Sequence, residues 1–217
     1  MKKYWKLISL NLAAMAIGLY LAVNGFNLPG NSSIDPDQIE GLFWPEQKQL
    51  VAFGLTDHHN EHFTLESLSS QWNLLFFGYT YCPDICPITM SMLREANAIY
   101  QQNASPDQQD LRMTFISVDG ERDHPQHLAN YIQFYDETFI AASGDKQAVD
   151  SLTNQLGVPY EVEEHEPGSE NYLVAHTATL FLISPDGRLM AMLHPPHDAK
   201  EIAQRLQQIR NFVEQRS

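Results

Sequence analysis

The chain opens on an apolar run. Residues 7–23 are broken only by Ser9, Asn11, Gly18 and Tyr20. As a helix rising about 1.5 Å per residue, such a run reaches the short limit for crossing a bilayer. It exceeds the roughly 7–15 residues of a signal-peptide core, and the stretch before Asn24 offers no clear small-x-small cleavage site. Lys2, Lys3 and Lys6 stand before it without an acidic residue. The pattern predicts one N-terminal transmembrane helix, an uncleaved anchor whose basic flank stays in the cytoplasm and whose remainder is exported. The absence of arginine from this segment argues against a mitochondrial transit peptide. Residues 27–46 cluster Pro, Gly, Ser and Asn without periodicity and read as a tether, with Phe43 and Trp44 free to dock on the domain or the membrane interface. The expected division is therefore 1–26 as cytoplasmic flank and anchor, 27–46 as tether, and 47–217 as one globular domain long enough for a full core.

Within that domain, strand-like and helix-like patterns alternate. Residues 49–53 and 61–65 flank Asp57-His58-His59-Asn60 and predict a hairpin with Phe63, Leu65 and Leu68 turned inward. Residues 73–78 and 111–118 are short and almost wholly apolar, as strands covered on both faces must be. Helical spacing recurs over 85–102, over 125–135 (Leu128, Tyr131 and Ile132 on one face), over 146–156 and over 199–212. A short strand is expected at 138–142. A long hairpin is expected from 173–183 and 188–193 about Pro185-Asp186-Gly187. Strand–helix–strand followed by helix–strand–strand–helix gives an α/β chain: a thioredoxin-like mixed sheet flanked by helices, with an insert around the third strand.

Charge narrows the partners. Three of the 13 Lys and Arg lie in the first six residues, leaving 10 basic against all 27 acidic residues beyond them, a formal −17. Such a surface repels nucleic acid and anionic headgroups and suits a basic partner. Five of the acids, Glu161, Glu163, Glu164, Glu166 and Glu170, share a segment with Pro159, Pro167 and Gly168 that reads as a mobile acidic flap.

Cys82 and Cys86 are the only cysteines in 217 residues. They fall in C-P-D-I-C-P, between the apolar strand 73–78 and the helix after it. Helix N-termini favour anions and lower thiol pKa values, and Pro87 suits a first turn that needs no N–H donor. The C-x3-C spacing departs from the C-x2-C of dithiol oxidoreductases, and no second pair exists to complete a structural zinc site. A disulfide switch and a low-coordinate soft-metal site remain. The cysteines also sit at the C-terminal end of the first parallel strand, where open α/β sheets place their sites. In a thioredoxin-like sheet the loop before the last hairpin faces that point. His176 there would complete a trigonal set of two sulfurs and one nitrogen suited to copper; the plain alternative is a hydrogen-bonded core histidine. His58, His59 and His62 read as solvated turn residues, and His194 and His197 as at most incidental metal binders. Asp119 would either orient the site or make an Asx turn. Asp84, between the cysteines, would cap the helix and, by its charge, raise a neighbouring thiol's pKa.

Taken together, F-F-G-Y-T-Y-C-P-D-I-C-P at 76–87, S-V-D-G-E-R-D at 117–123 and the His176 segment leading to S-P-D-G at 184–187 resemble the Sco/SenC family of copper-binding assembly factors. The resemblance spans most of the exported domain. It implies a membrane-tethered thioredoxin-like protein that binds copper, Cu(I) or Cu(II), through Cys82, Cys86 and His176. It further implies delivery of copper to the binuclear centre of cytochrome c oxidase, whose copper-binding subunit or another copper or thiol protein would be the partner. The place would be the bacterial inner membrane, with the domain facing the periplasm or the cell exterior. Asp84 and Asp119 would support the ligands. Two positions depart from the family pattern: Gly120 stands where proline is usual, and Ala175 where an aspartate usually precedes the histidine. A different class stays open, a thiol–disulfide oxidoreductase that needs Cys82 and Cys86 but not His176. A thiol peroxidase finds less support, since no arginine is obviously placed to assist.

Overall fold

The computed structural model describes residues 35–43 and 45–216. The expected anchor and residues 27–34 and 44 of the expected tether lie outside them; of the described part, Ile39 is buried and the Phe43 N–H donates to the Met190 carbonyl at 2.8 Å. Among the described residues, no helix is long and apolar enough to cross a membrane.

Two short strands open the domain, β1 (Lys48–Gln49) and β2 (Gly54–Asp57), and β2 turns back through β3 (His62–Thr64). Then comes β4 (Trp72–Gly78), in which every residue is buried. Leu74, Leu75, Phe76 and Phe77 have no exposed surface, so both faces of this strand are covered, as its unbroken apolar run predicts. The chain continues through α1 (Ile85–Asn103), β5 (Leu111–Ser117), α2 (Pro125–Gln133), β6 (Ile140–Ser143) and α3 (Lys146–Leu156). It ends with β7 (Glu161–Val162), β8 (Val174–Ala175), β9 (Leu180–Ile183), β10 (Arg188–Leu193) and α4 (Ala199–Glu214).

The main sheet has eight strands in the order β1-β10-β9-β4-β5-β6-β2-β3. β4, β5 and β6 are parallel, and the strands outside them run antiparallel. α1 packs with α4, while α2 lies against β6 and β2 and α3 against β2. Local chemistry fixes the helix ends. Asp145 accepts the Ala148 N–H at 2.8 Å to start α3, and Gly157, at φ 69°, stops it in the left-handed region that glycine tolerates. Asp198 caps α4 by accepting from the backbone N–H groups of Lys200 and Glu201. α4 is then locked to α1 and the connection that follows it by Arg210, which is buried, pairs with Asp110, and donates to the Gln108 carbonyl at 3.0 Å and the Tyr100 hydroxyl at 3.2 Å.

Four expectations change. The first hairpin exists, but its leading strand is Gly54–Asp57, with Leu55 opposite Phe63. Residues 48 and 49 pair instead with β10, and Leu50 and Phe53 bury from the loop between. His58 is not solvated: it is half-buried, and its Nδ1 accepts the Ala141 N–H at 3.2 Å. The long strand expected at 173–183 is two strands. β9 pairs with β4, from Leu180 opposite Phe76 to Ile183 opposite Asn73, whereas β8 leaves the main sheet and pairs with β7. The acidic segment is consequently a built hairpin rather than a loose flap. Glu163 accepts the Leu173 N–H at 2.8 Å, and Glu121 pairs with His165 at 2.9 Å.

Gly120 has a steric reason. A Cβ there would lie 1.7 Å from the carbonyl oxygen of Gly144, a backbone atom that no rotamer change can move. A proline at this position would need the turn after β6 to stand further off. Gly120→Ala is expected to destabilise the protein by about 1–3 kcal/mol, read as a lower urea midpoint at unchanged m-value; an unchanged midpoint would mean that the two turns separate freely.

Candidate metal centre

β4 and β5 run in register from Trp72 opposite Leu111 to Gly78 opposite Ser117, so both end at one level of the sheet. The two loops beyond them must meet. Gly78 leaves the room this requires: a Cβ on it would come within 2.5 Å of Cys86 Sγ. The chain turns with the Cys82 N–H donating to the Tyr79 carbonyl at 3.2 Å, and α1 begins at Ile85. Asp84 occupies the capping position, but its side chain makes no cap and is exposed. The Cys86 N–H donates instead to Cys82 Sγ at 3.4 Å, so a sulfur holds the place foreseen for the carboxylate.

His176 enters from the gap between β8 and β9. Its Nδ1 lies 3.0 Å from the Val174 carbonyl, which favours the proton on that nitrogen and leaves Nε2 as the free donor. Nε2 lies 3.1 Å from Cys86 Sγ and 3.9 Å from Cys82 Sγ. Both distances fall inside the span of about 4.3 Å that one ion with bonds of about 2.3 Å to sulfur and 2.0 Å to nitrogen would allow. The three donor atoms all lie within 4.8 Å of one another, and among the described residues no other such group of three occurs. The rings of His176 and Tyr79 stand nearly perpendicular, 5.3 Å apart between centroids.

The two thiols are electrostatically unlike. Cys82 is pulled down to about 3, first by the Cys86 thiol donating to it, then by His176 and by the backbone N–H groups of Asp84 and Cys86, all acting against burial. Cys86 is pushed up because it keeps the shared proton and has no exposed surface. Burial acts to lower His176, but the hydrogen bonds that its ring donates to the Cys82 thiolate and the Val174 carbonyl outweigh it and the net shift is upward. The imidazole is closer to the Cys86 sulfur, yet the charge resides on Cys82, and it is charge that favours the imidazolium. The apo site thus holds a thiolate, a thiol and a poised imidazole.

Residues that carry no obvious chemistry in the sequence brace this arrangement. Asp123 is buried, and burial pushes its carboxyl up against the hydrogen bonds that favour its anion. It accepts from the Thr80 N–H at 2.8 Å, the Thr80 hydroxyl at 2.5 Å and the Ser117 hydroxyl at 2.5 Å, tying the cysteine loop to the end of β5. Asp119 makes no contact with the donors themselves. It is buried against Arg122, whose Nε donates to it at 2.6 Å, and it accepts the Tyr172 hydroxyl at 2.7 Å. His194 and His197 lie apart from the cysteines: His197 Nε2 meets the Ala178 carbonyl at 2.6 Å and His194 Nδ1 the Thr179 hydroxyl at 3.3 Å, bracing the loop after His176.

An ordinary thiol loses about tenfold in thiolate, and hence in alkylation rate, for each pH unit below about 8.5. Cys82 titrates far lower and remains thiolate down to mildly acidic pH. Iodoacetamide should therefore modify Cys82 in the reduced, metal-free protein at a rate that changes less than about twofold between pH 5 and 8. A tenfold fall per unit, measured by mass spectrometry of the Cys82 peptide, would contradict the shared-proton arrangement.

The chain and its fold have known counterparts. The SCO1/SenC family model matches residues 45–211. A Stutzerimonas stutzeri protein provisionally named as copper-binding is 33% identical over 160 residues, covering 74% of this chain and 76% of that one. The SCO2-like protein of Rickettsia prowazekii is 32% identical over 150 residues, covering 69% and 71%. The crystal structure of Arabidopsis thaliana ScoI with copper bound superposes with a TM-score of 0.67 at 29% identity, over 74% of this chain and 98% of that one. A match of this extent, on a sheet that brings two cysteines and a histidine to one point, places the chain in the SCO1/SenC family.

Proposed function

We propose that the protein is a copper metallochaperone, with copper as its cargo, held by Cys82, Cys86 and His176. The observation that carries this reading is the convergence of two sulfurs and one imidazole nitrogen from segments 90 residues apart in sequence. Thiolate and imidazole suit Cu(I), and a mixed sulfur and nitrogen set also accepts Cu(II). Support for copper comes from relatives whose names or titles state it. The destination we propose is the binuclear copper centre of cytochrome c oxidase, through its copper-binding subunit. In this reading residues 1–26 anchor the protein in the bacterial inner membrane, 27–46 tether it, and the domain of 47–217 faces the periplasm or the cell exterior. Asp119 acts behind the donors and Asp84 at the surface beside them. The departure at Ala175 is tolerable because Ala175 is exposed, opposite Glu161 in the β7–β8 pair; its change alters the surface next to the site and leaves the three donors in place.

A second reading rests on the unlike thiols. A thiolate at Cys82 with a protonated neighbour at Cys86 is also the resting state of a thiol–disulfide oxidoreductase. The two readings separate at His176. Reduced anaerobically and given one equivalent of copper, the full-length protein in detergent should bind one Cu per chain, with two sulfurs and one nitrogen in its X-ray absorption spectrum. His176→Ala should weaken Cu(I) binding by about tenfold or more, equivalent to at least about 1.4 kcal/mol, and leave dithiol exchange intact. Undiminished copper binding in that variant would overturn the three-donor reading. Absence of stoichiometric copper, with a readily reversible Cys82–Cys86 disulfide, would leave the oxidoreductase.

A further inference from the structure

The three donors lie on two segments that share no strand pairing at the site: the loop after β4 with the first turn of α1, and the gap between β8 and β9. One buried side chain touches both. The Arg122 guanidinium lies 4.7 Å from the ring centre of Tyr81, which immediately precedes Cys82, and 5.5 Å from that of Tyr79. It also lies 3.5 Å from the ring centre of Tyr172, four residues before His176. Its Nη1 donates to the carbonyls of Glu170 at 2.9 Å and Tyr172 at 3.0 Å, gripping the segment that leads into β8 and the histidine. Asp119 sets its orientation. Nε donates to Oδ2 at 2.6 Å, while Nη2 approaches the same oxygen at 2.5 Å as a charge contact without hydrogen-bond geometry. Arg122 is 5% exposed and Asp119 2%, so neither is there to solvate the surface. A buried ion pair is a poor source of stability and is commonly matched by apolar residues of similar size. Only a planar, multidentate cation can stack against an aromatic ring while holding two carbonyls and a carboxylate; lysine offers one point charge.

We propose that Arg122, oriented by Asp119 and Tyr172, is a positioning residue that sets the span between the two cysteines and His176, and so decides whether copper is held by three donors or by the two sulfurs alone. This rests on the three-donor reading above. Arg122 touches no donor, and its effect on copper passes through His176.

A double-mutant cycle tests the coupling. Full-length wild-type, Arg122→Lys, His176→Ala and doubly substituted proteins, in detergent, are titrated with Cu(I) against a chromophoric chelator. The melting temperature of each metal-free protein is read separately. Arg122→Lys should weaken Cu(I) binding by about 10–100-fold, the usual loss when a residue behind a ligand is changed. Its X-ray absorption spectrum should keep two sulfurs and lose the nitrogen. In the His176→Ala background the same substitution should cost less than about twofold, because its path of action is already cut. Should Arg122→Lys fail to fold, Tyr172→Phe takes its place in the cycle. That change removes only the hydroxyl bond to Asp119 and should give a smaller loss with the same non-additivity. Wild-type affinity in Arg122→Lys, or a loss that adds in full to that of His176→Ala, overturns the proposal while leaving the three donors standing. Wild-type affinity in His176→Ala overturns the three-donor reading and the positioning role with it.

Discussion

Two parallel strands that stop at the same level govern this molecule. Because Gly78 and Ser117 are opposite each other at the ends of β4 and β5, the loop that carries the cysteines and the loop that carries Asp119, Arg122 and Asp123 emerge side by side. The second ties down the first through Asp123, which accepts from the Thr80 N–H and hydroxyl. The first carries two aromatic rings, and the second puts a guanidinium against them. Remove the register and the chemistry has no frame. Parallel pairing also explains why the frame is buried. Both faces of β4 are covered, so a loop leaving its end starts from a fixed point.

Much of this is legible in the sequence, for identifiable reasons. The continuous apolar runs at 73–78 and 111–118 mark doubly covered strands, and a lone cysteine pair at the end of one marks the site. His176 is legible from its place in the fold. The helix at 146–156 coincides with α3, because Asp145 and Gly157 signal its ends through local chemistry. What fails is what depends on distant partners. Residues 173–183 look like one strand because their side chains suit one throughout. The break comes from pairing, since Leu180 to Ile183 find β4 while Val174 and Ala175 find β7, a choice no local pattern records. The same break frees His176 to turn toward the sulfurs.

Charges mislead in a similar way. Asp84 has the type and position of a helix cap, but an anionic sulfur already lies over those N–H groups and a second anion gains little there. Arg122 and Asp123 look like ordinary members of a polar turn, and nothing in their identity announces that they are buried. In a domain so rich in acid, the carboxylates that matter are the few removed from water, and burial emerges only from the assembled fold.

The contact of Gly120 with Gly144 carries an implication for how such a chain can change over evolutionary time. The two turns touch through backbone, so neither position is free to drift alone. A lineage that acquired a side chain at 120 would have to remodel residues 143–145 in the same step, and one that widened that turn would relieve the constraint on 120. Selection therefore acts on the two turns as one inherited character, although 23 residues of sequence separate them.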